Sequence, residues 1–318
     1  MNEAAHSRAS VLLLAGLIAA SAGLSCRGCV RAEPSIEDPY RVEETGSDLF
    51  VSPDALMEAR AGGAAILDTR GAVAYRLGHI PGAVHAPWDA FTQGMLSGLL
   101  KEDVGELESQ LRALGVRDAS AVVVYGDWDQ GWGEEGRVFW MLEHLGHTEV
   151  RVLYGGMRRW SERGLPTQRF SGDPPVQGDF RAAPPSGRRI LSASLRDKLG
   201  GQDLTILDVR SREEFDGATP YGSPRGGRIP GARHFFWREV FAADGNLLPA
   251  GQVRARLASL GFRGGSDTVV TYCTGGVRSG FVYLVLRWLG VSAPVNYDGS
   301  WWEWSDASEL PVEADAMR

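Results

Sequence analysis

Two patterns alternate along the chain. Short apolar, β-branched runs such as Val122-Val123-Val124-Tyr125 and Val269-Val270-Thr271-Tyr272 have the length of strands, whereas Leu107 to Leu114 and Val253 to Leu260 space their apolar positions as amphipathic helices do. Runs that are apolar throughout suit strands covered on both faces, so the alternation predicts βα units and a largely parallel sheet. A further helix is read over Phe281 to Leu289, with Gly290 marking its end. Two stretches break the pattern. Residues from about Arg31 to Asp48 are polar and contain Pro34 and Pro39, as a tether would. Ser171 to Val176, continuing through Pro184 to Gly187, is rich in proline, glycine and polar residues, as linkers are.

The pattern is one module written twice. Ile66-Leu67-Asp68-Thr69-Arg70 recurs as Ile206-Leu207-Asp208-Val209-Arg210, and Gly78-His79-Ile80-Pro81-Gly82-Ala83 as Gly227-Arg228-Ile229-Pro230-Gly231-Ala232. The Val122 run recurs at Val269, and Tyr154-Gly155-Gly156 at Tyr297-Asp298-Gly299. Order is kept while loop lengths drift, which is the mark of duplication. The expected organisation is a leader over 1–26, a tether over 27–47, one α/β domain over 48–168, a linker over 169–188 and a second α/β domain over 189–312.

The length of 318 residues fits two domains, and 43% hydrophobic with 23% charged residues is a globular composition. A net charge of -7 and the lack of a basic block argue against nucleic-acid binding, which needs cations to neutralise phosphates. The uncharged run from Val11 to Leu24 behind Arg8 is short for a membrane span but has the character of an export signal. Gly23-Leu24-Ser25-Cys26 resembles a bacterial lipoprotein processing site, so the expectation is an exported, periplasmic or envelope protein, anchored to the membrane only by lipid on Cys26. The chain has three cysteines, too few for a disulfide scaffold. Cys26-Arg27-Gly28-Cys29 has the spacing of a metal or redox pair, but no second pair or nearby histidine completes it, and neither metal nor cofactor is expected.

Cys273 carries the candidate chemistry. It ends an apolar strand and opens Thr274-Gly275-Gly276-Val277-Arg278-Ser279-Gly280 ahead of a helix. A thiolate is favoured by converging N–H groups, by a helix N-terminus and by a nearby cation, and this segment offers all three. The competing reading is a buried structural cysteine. The first copy weighs against it, for Gly126-Asp127-Trp128-Asp129 has no thiol where the second copy has Cys273. The first loop is three residues longer, measured from Tyr125 to Gly146 against Tyr272 to Gly290, and carries Asp127, Asp129, Glu134 and Glu135. Like charges there disfavour an anionic substrate or nucleophile, so the first copy reads as a shaping partner.

Taken in order, the LD-x-R strand ends, the G-[HR]-IPGA segments, the strand ending in Tyr272-Cys273 and the closing Asp298-Gly299-Ser300-Trp301-Trp302-Glu303-Trp304 resemble the tandem-domain rhodaneses, the thiosulfate and 3-mercaptopyruvate sulfurtransferases. The resemblance covers roughly residues 48 to 312. It implies an α/β fold of two rhodanese-like domains, each a mainly parallel sheet flanked by helices, with catalysis by the C-terminal cysteine. It also implies a reaction in which Cys273 takes a sulfane sulfur from thiosulfate or 3-mercaptopyruvate and passes it, as a persulfide, to cyanide or a thiol. The N–H groups from Thr274 to Ser279 would stabilise that anion as an oxyanion hole does. Related phosphatases place their loop arginine one position further from the cysteine, so Arg278 at this shorter step favours sulfur over phosphate. Arg278 either faces the site or ties the loop to the domain. Arg210, Arg212 and Arg228 are candidate anion partners, Trp237 and Trp301 candidate walls, and Asp208 a brace. No histidine lies near Cys273 in sequence, which disfavours a cysteine protease. The rival class is a non-catalytic rhodanese-like module that binds a partner or senses sulfur or redox state. A monomer is expected.

Overall fold

A computed structural model of the chain describes residues 47–94, 96–170, 174–183, 187–262 and 268–314. The leader, Cys26, Cys29 and the tether up to residue 46 lie outside the described residues, as do parts of the linker.

The first half runs β1 (Phe50–Val51), α1 (Pro53–Ala61), β2 (Ala65–Asp68), α2 (Ala72–Leu77), β3 (Val84–His85), α3 (Val104–Ala113), β4 (Val122–Tyr125), α4 (Glu134–His144), β5 (Val150–Leu153) and α5 (Gly156–Glu162). Its strands pair in parallel in the order β1-β5-β4-β2-β3. The second half runs α6 (Ser192–Asp197), β6 (Leu204–Asp208), α7 (Arg212–Phe215), β7 (Arg233–His234), α8 (Ala250–Ser259), β8 (Thr268–Tyr272), α9 (Val277–Trp288), β9 (Pro294–Asn296) and α10 (Ser300–Asp306). Its sheet is parallel, in the order β7-β6-β8-β9. Each half is thus a parallel sheet flanked by helices.

Register repeats with the sequence. Asp68 lies beside Tyr125 and Asp208 beside Tyr272, so both carboxylates stand at the carboxyl ends of their sheets. In each copy the tyrosine hydroxyl donates to that aspartate, at 2.6 Å from Tyr125 to Asp68 Oδ2 and 2.5 Å from Tyr272 to Asp208 Oδ2. The residue after Tyr272 is Cys273, which the topology therefore delivers to the loop edge where parallel sheets collect functional groups.

The halves share one hydrophobic core. Buried residues of β4 and α4, including Val122, Val138 and Phe139, are contiguous with Trp237, Phe281, Tyr283 and Leu284 of the second half. The seam is the crossing of α4 and α9. A Cβ added at Gly136 would lie 2.3 Å from the Phe281 Cα, and one at Gly280 would lie 2.7 Å from the Arg137 Cα. Backbones this close require glycine on both helices, one from each copy. Further along, Glu143 holds Arg287 at 2.9 Å and accepts the Tyr283 hydroxyl at 2.7 Å, closing the seam with polar contacts.

The helix after Cys273 starts at Val277, four residues earlier than the apolar pattern suggests. Gly276 at φ 79 turns the chain into it, and the polar Arg278 and Ser279 form its first turn. No helix among the described residues is long and apolar enough to cross a membrane.

Gly136→Ala tests the crossing. A methyl placed against backbone cannot be relieved by a rotamer change, so the substitution is expected to lower stability by about 1–3 kcal/mol in denaturant unfolding. An unchanged midpoint would contradict the close approach.

Candidate active site

Cys273 is buried at the end of β8, 1% exposed, at the base of a cavity of about 260 Å³. Its loop is pinned from behind by the start of α10. Ser300 Oγ accepts the Cys273 N–H at 3.1 Å and donates to the Tyr297 carbonyl at 2.8 Å. The Trp301 and Trp302 N–H groups donate to the carbonyls of Cys273 and Thr274 at 3.0 and 2.9 Å. Ser300 reaches this position at φ 53, a conformation side chains other than glycine resist. Both loop carbonyls are thereby held away from the sulfur, leaving N–H groups to face it.

Burial pushes the Cys273 thiol pKa up, but the Arg278 charge and the N–H groups of Ser279 and Gly275, with the Ser279 hydroxyl beside them, outweigh it and bring the thiol below its ordinary value. Arg278 is 4% exposed. Its Nη1 meets Glu214 Oε2 at 2.6 Å, and its Nη2 meets Glu214 Oε1 at 2.9 Å and Thr274 Oγ1 at 2.6 Å. The Thr274 hydroxyl also donates to Glu214 Oε1. Arg278 therefore fills both roles left open by the sequence, lending charge to the sulfur and tying the loop to α7. Glu214 accepts the Ser211 N–H at 3.1 Å as half of a capping box at the start of α7. Burial raises its pKa, but the Arg278 pairing overrides this and holds it down at about 2.

The first half reaches the same loop. Arg137 of α4 is buried, and its Nη2 donates to the Gly98 carbonyl at 2.5 Å, with Asp298 Oδ2 at 3.9 Å. Its Nη1 has no hydrogen-bond partner and lies so close to Gly276 that a Cβ there would be 2.8 Å away. Burial lowers the Arg137 pKa to about 10, while the charges of Asp298 and Cys273 act in the other direction. Asp298 holds the assembly together, accepting the Leu100 N–H at 2.7 Å and the Arg189 Nε at 2.9 Å.

Thr274, Gly275, Val277 and Arg278 line the cavity with Cys273, while Gly276 and Ser279 form the turn and cradle behind it. Arg210 and Arg228, the candidate anion partners, are not among the residues that line it. Arg210 is 1% exposed, forks onto Asp208 at 2.9 and 2.6 Å, donates to the Gly227 carbonyl and lies 4.6 Å over the Trp301 ring. Arg228 is taken by Glu313 at 2.7 Å. Arg212 is exposed beside Asp216. Asp208 braces its arginine. Trp237 and Trp301 are core residues, the first among Phe241 and Phe281. The walls are instead Trp88, Trp132, Tyr221 and Trp302.

Sequence reasoning missed these walls, Arg137 and the role of Glu214. The Ser211-x-x-Glu214 pattern was a legible cap signal, but nothing in it indicated the partner Arg278. In the first copy, Gly126 occupies the place of Cys273, and a Cβ added there would lie 2.2 Å from Glu135 Oε2. Glu135 is fully buried, and burial pushes its pKa up to about 8. A carboxyl group of the chain itself thus fills the first cradle.

The model of the rhodanese-like domain matches residues 52–163 and 191–307. The sulfur carrier protein TtuD of Thermus thermophilus is 32% identical, over 75% of this chain and 86% of its own. A thiosulfate sulfurtransferase of Azotobacter vinelandii is 33% identical, over 78% and 90%. The crystal structure of the 3-mercaptopyruvate sulfurtransferase of Escherichia coli superposes with a TM-score of 0.69 at 26% identity, covering 80% of this chain and 99% of that one.

The pH profile of Cys273 alkylation by iodoacetamide is expected to have its midpoint below the ordinary thiol value of 9.0. Arg278→Met raises that midpoint by removing the cation. Glu214→Gln lowers it further by leaving the cation uncompensated. Shifts in the same direction for both variants would contradict the charge assignment.

Proposed function

This chain belongs to the rhodanese family and is a sulfurtransferase, and we propose that it works through a persulfide on Cys273. Supporting this reading is a buried thiol whose pKa is depressed by Arg278 and by N–H groups at the base of an open cavity. The Cys273 thiolate attacks the outer sulfur of thiosulfate. The S–S bond of the donor breaks, and sulfite leaves with the bonding electron pair. The new persulfide anion sits among the N–H groups of Gly275 and the first turn of α9, which carry the partial positive charge of a helix N-terminus. Cyanide or a thiol then attacks the terminal sulfur and restores the thiolate, so the two half-reactions follow ping-pong kinetics. 3-Mercaptopyruvate is the second donor of this reading, since relatives carry both names. The first domain lends the loop its Arg137 and the cavity Trp88, Trp132 and Glu134.

Before the described residues, the apolar run from Val11 to Leu24 and the Cys26 site support export with a lipid anchor. Intact mass of the membrane fraction is expected to show lipid on Cys26 and its loss in Cys26→Ser. Equal soluble forms with the same N-terminus would remove the anchor.

Thiosulfate:cyanide turnover is expected in the wild type and only background in Cys273→Ser. Donor treatment without acceptor is expected to add about 32 Da, one sulfur atom, to Cys273. No thiocyanate from either donor would sink the catalytic reading in favour of a binding or sensing module.

A further inference from the structure

The mouth above Cys273 is built unlike a receptor for a small dianion. Four large rings surround it, Trp88 and Trp132 from the first domain and Tyr221 and Trp302 from the second. Trp132 and Tyr221 meet edge to face across the domain seam, with centroids 5.8 Å apart, yet remain 49% and 39% exposed. Trp302 is fixed in place. Its Nε1–H donates to the Tyr221 carbonyl at 3.0 Å, and its ring lies so close on Gly275 that a Cβ there would be 2.2 Å from it. Trp302 is therefore set before any ligand arrives, and exposed aromatics at a cavity mouth offer flat apolar surface to a guest.

Charge points the same way. Arg278 is the one cation lining the cavity among the described residues, and both of its terminal nitrogens are held by Glu214. Its guanidinium lies 5.6 Å from the centres of both the Trp132 and Tyr221 rings, so their faces cover it. What positive field remains is directed at the sulfur. The acidic wall is Glu134, whose carboxyl group accepts the Trp132 N–H at 2.9 Å and whose pKa burial raises. A thiosulfate dianion entering here meets that carboxyl group and the thiolate, and among the described residues that line the cavity finds no cation free of a carboxylate partner for its sulfonate end.

We propose that this site selects sulfane-sulfur donors that carry an aromatic or other flat apolar group, in preference to thiosulfate. The proposal rests on the persulfide reading above and names the donor class for it. With an aryl thiosulfonate, the Cys273 thiolate bonds to the outer sulfur and the S–S bond to the sulfonyl sulfur breaks. The aryl sulfinate leaves with the electron pair, and one negative charge resides on each product, as on each reactant. The ring rests between Trp88, Trp132 and Trp302, and no second charge has to be desolvated.

The test compares benzenethiosulfonate with thiosulfate on the full chain, with cyanide as acceptor. kcat/KM for the aryl donor is expected to exceed that for thiosulfate by about tenfold, the size of one or two ring contacts. In Trp132→Ala, which alters a half-exposed ring, that ratio is expected to fall severalfold, and Trp132→Phe to restore most of it. Glu134→Gln, which keeps an oxygen for the Trp132 N–H, is expected to raise kcat/KM for thiosulfate about threefold, less so as salt is added. Thiosulfate loading Cys273 as well as or better than the aryl donor would overturn the donor class while leaving the persulfide reading in place. No sulfur on Cys273 from either donor would overturn both. A ratio unmoved by Trp132→Ala would overturn the part assigned to the rings.

Discussion

The crossing of α4 and α9 is the constraint on which the rest of the molecule depends. Gly136 and Gly280 let two helix backbones touch, and Gly133 allows the turn before α4 to sit on the Phe281 side chain, where a Cβ would lie 2.6 Å away. Because both helices begin at the carboxyl ends of their sheets, this contact brings the start of α4 next to the start of α9. Trp132, Glu134 and Arg137 then arrive beside Cys273 as a consequence of packing. The first domain has no thiol, yet the cavity is incomplete without it.

Around the sulfur, burial and charge oppose each other, and the balance is held by groups that are themselves held. Desolvation alone would leave Cys273 a neutral thiol. Arg278 reverses this, and it stays in position because Glu214 and Thr274 grip it. Glu214 stays ionised for the same reason, and its capping of α7 fixes the distance between that helix and the loop. The same grip commits the arginine's charge within the loop. The cavity that results has one lining cation, Arg278, and four aromatic rings, Trp88, Trp132, Tyr221 and Trp302.

Duplication explains why a second cradle exists, and the missing thiol sets it apart. Both copies keep the aspartate and tyrosine pair at the sheet edge and the arginine that follows the aspartate. They diverge in the loop that follows the tyrosine. With Gly126 instead of a cysteine, the first loop leaves room that Glu135 occupies, and its desolvated carboxyl group favours the neutral form near pH 7.

The sequence by itself determined the two α/β halves, the parallel strands, the thiol loop and the loss of the thiol in the first copy. These are local properties: strand length, helical period and glycine spacing are written in neighbouring residues. The tertiary structure alone decided which charges pair and which rings face the thiol. Arg210 and Arg228 stand beside the same motifs as the active loop, but Asp208 and Glu313 reach them first. Glu214 and Arg278 are 64 positions apart, and Trp132 and Tyr221 belong to different domains. Contacts of that range depend on how sheets and helices pack, which no local periodicity encodes. For that reason the thiol loop was legible in the sequence and its surroundings were not.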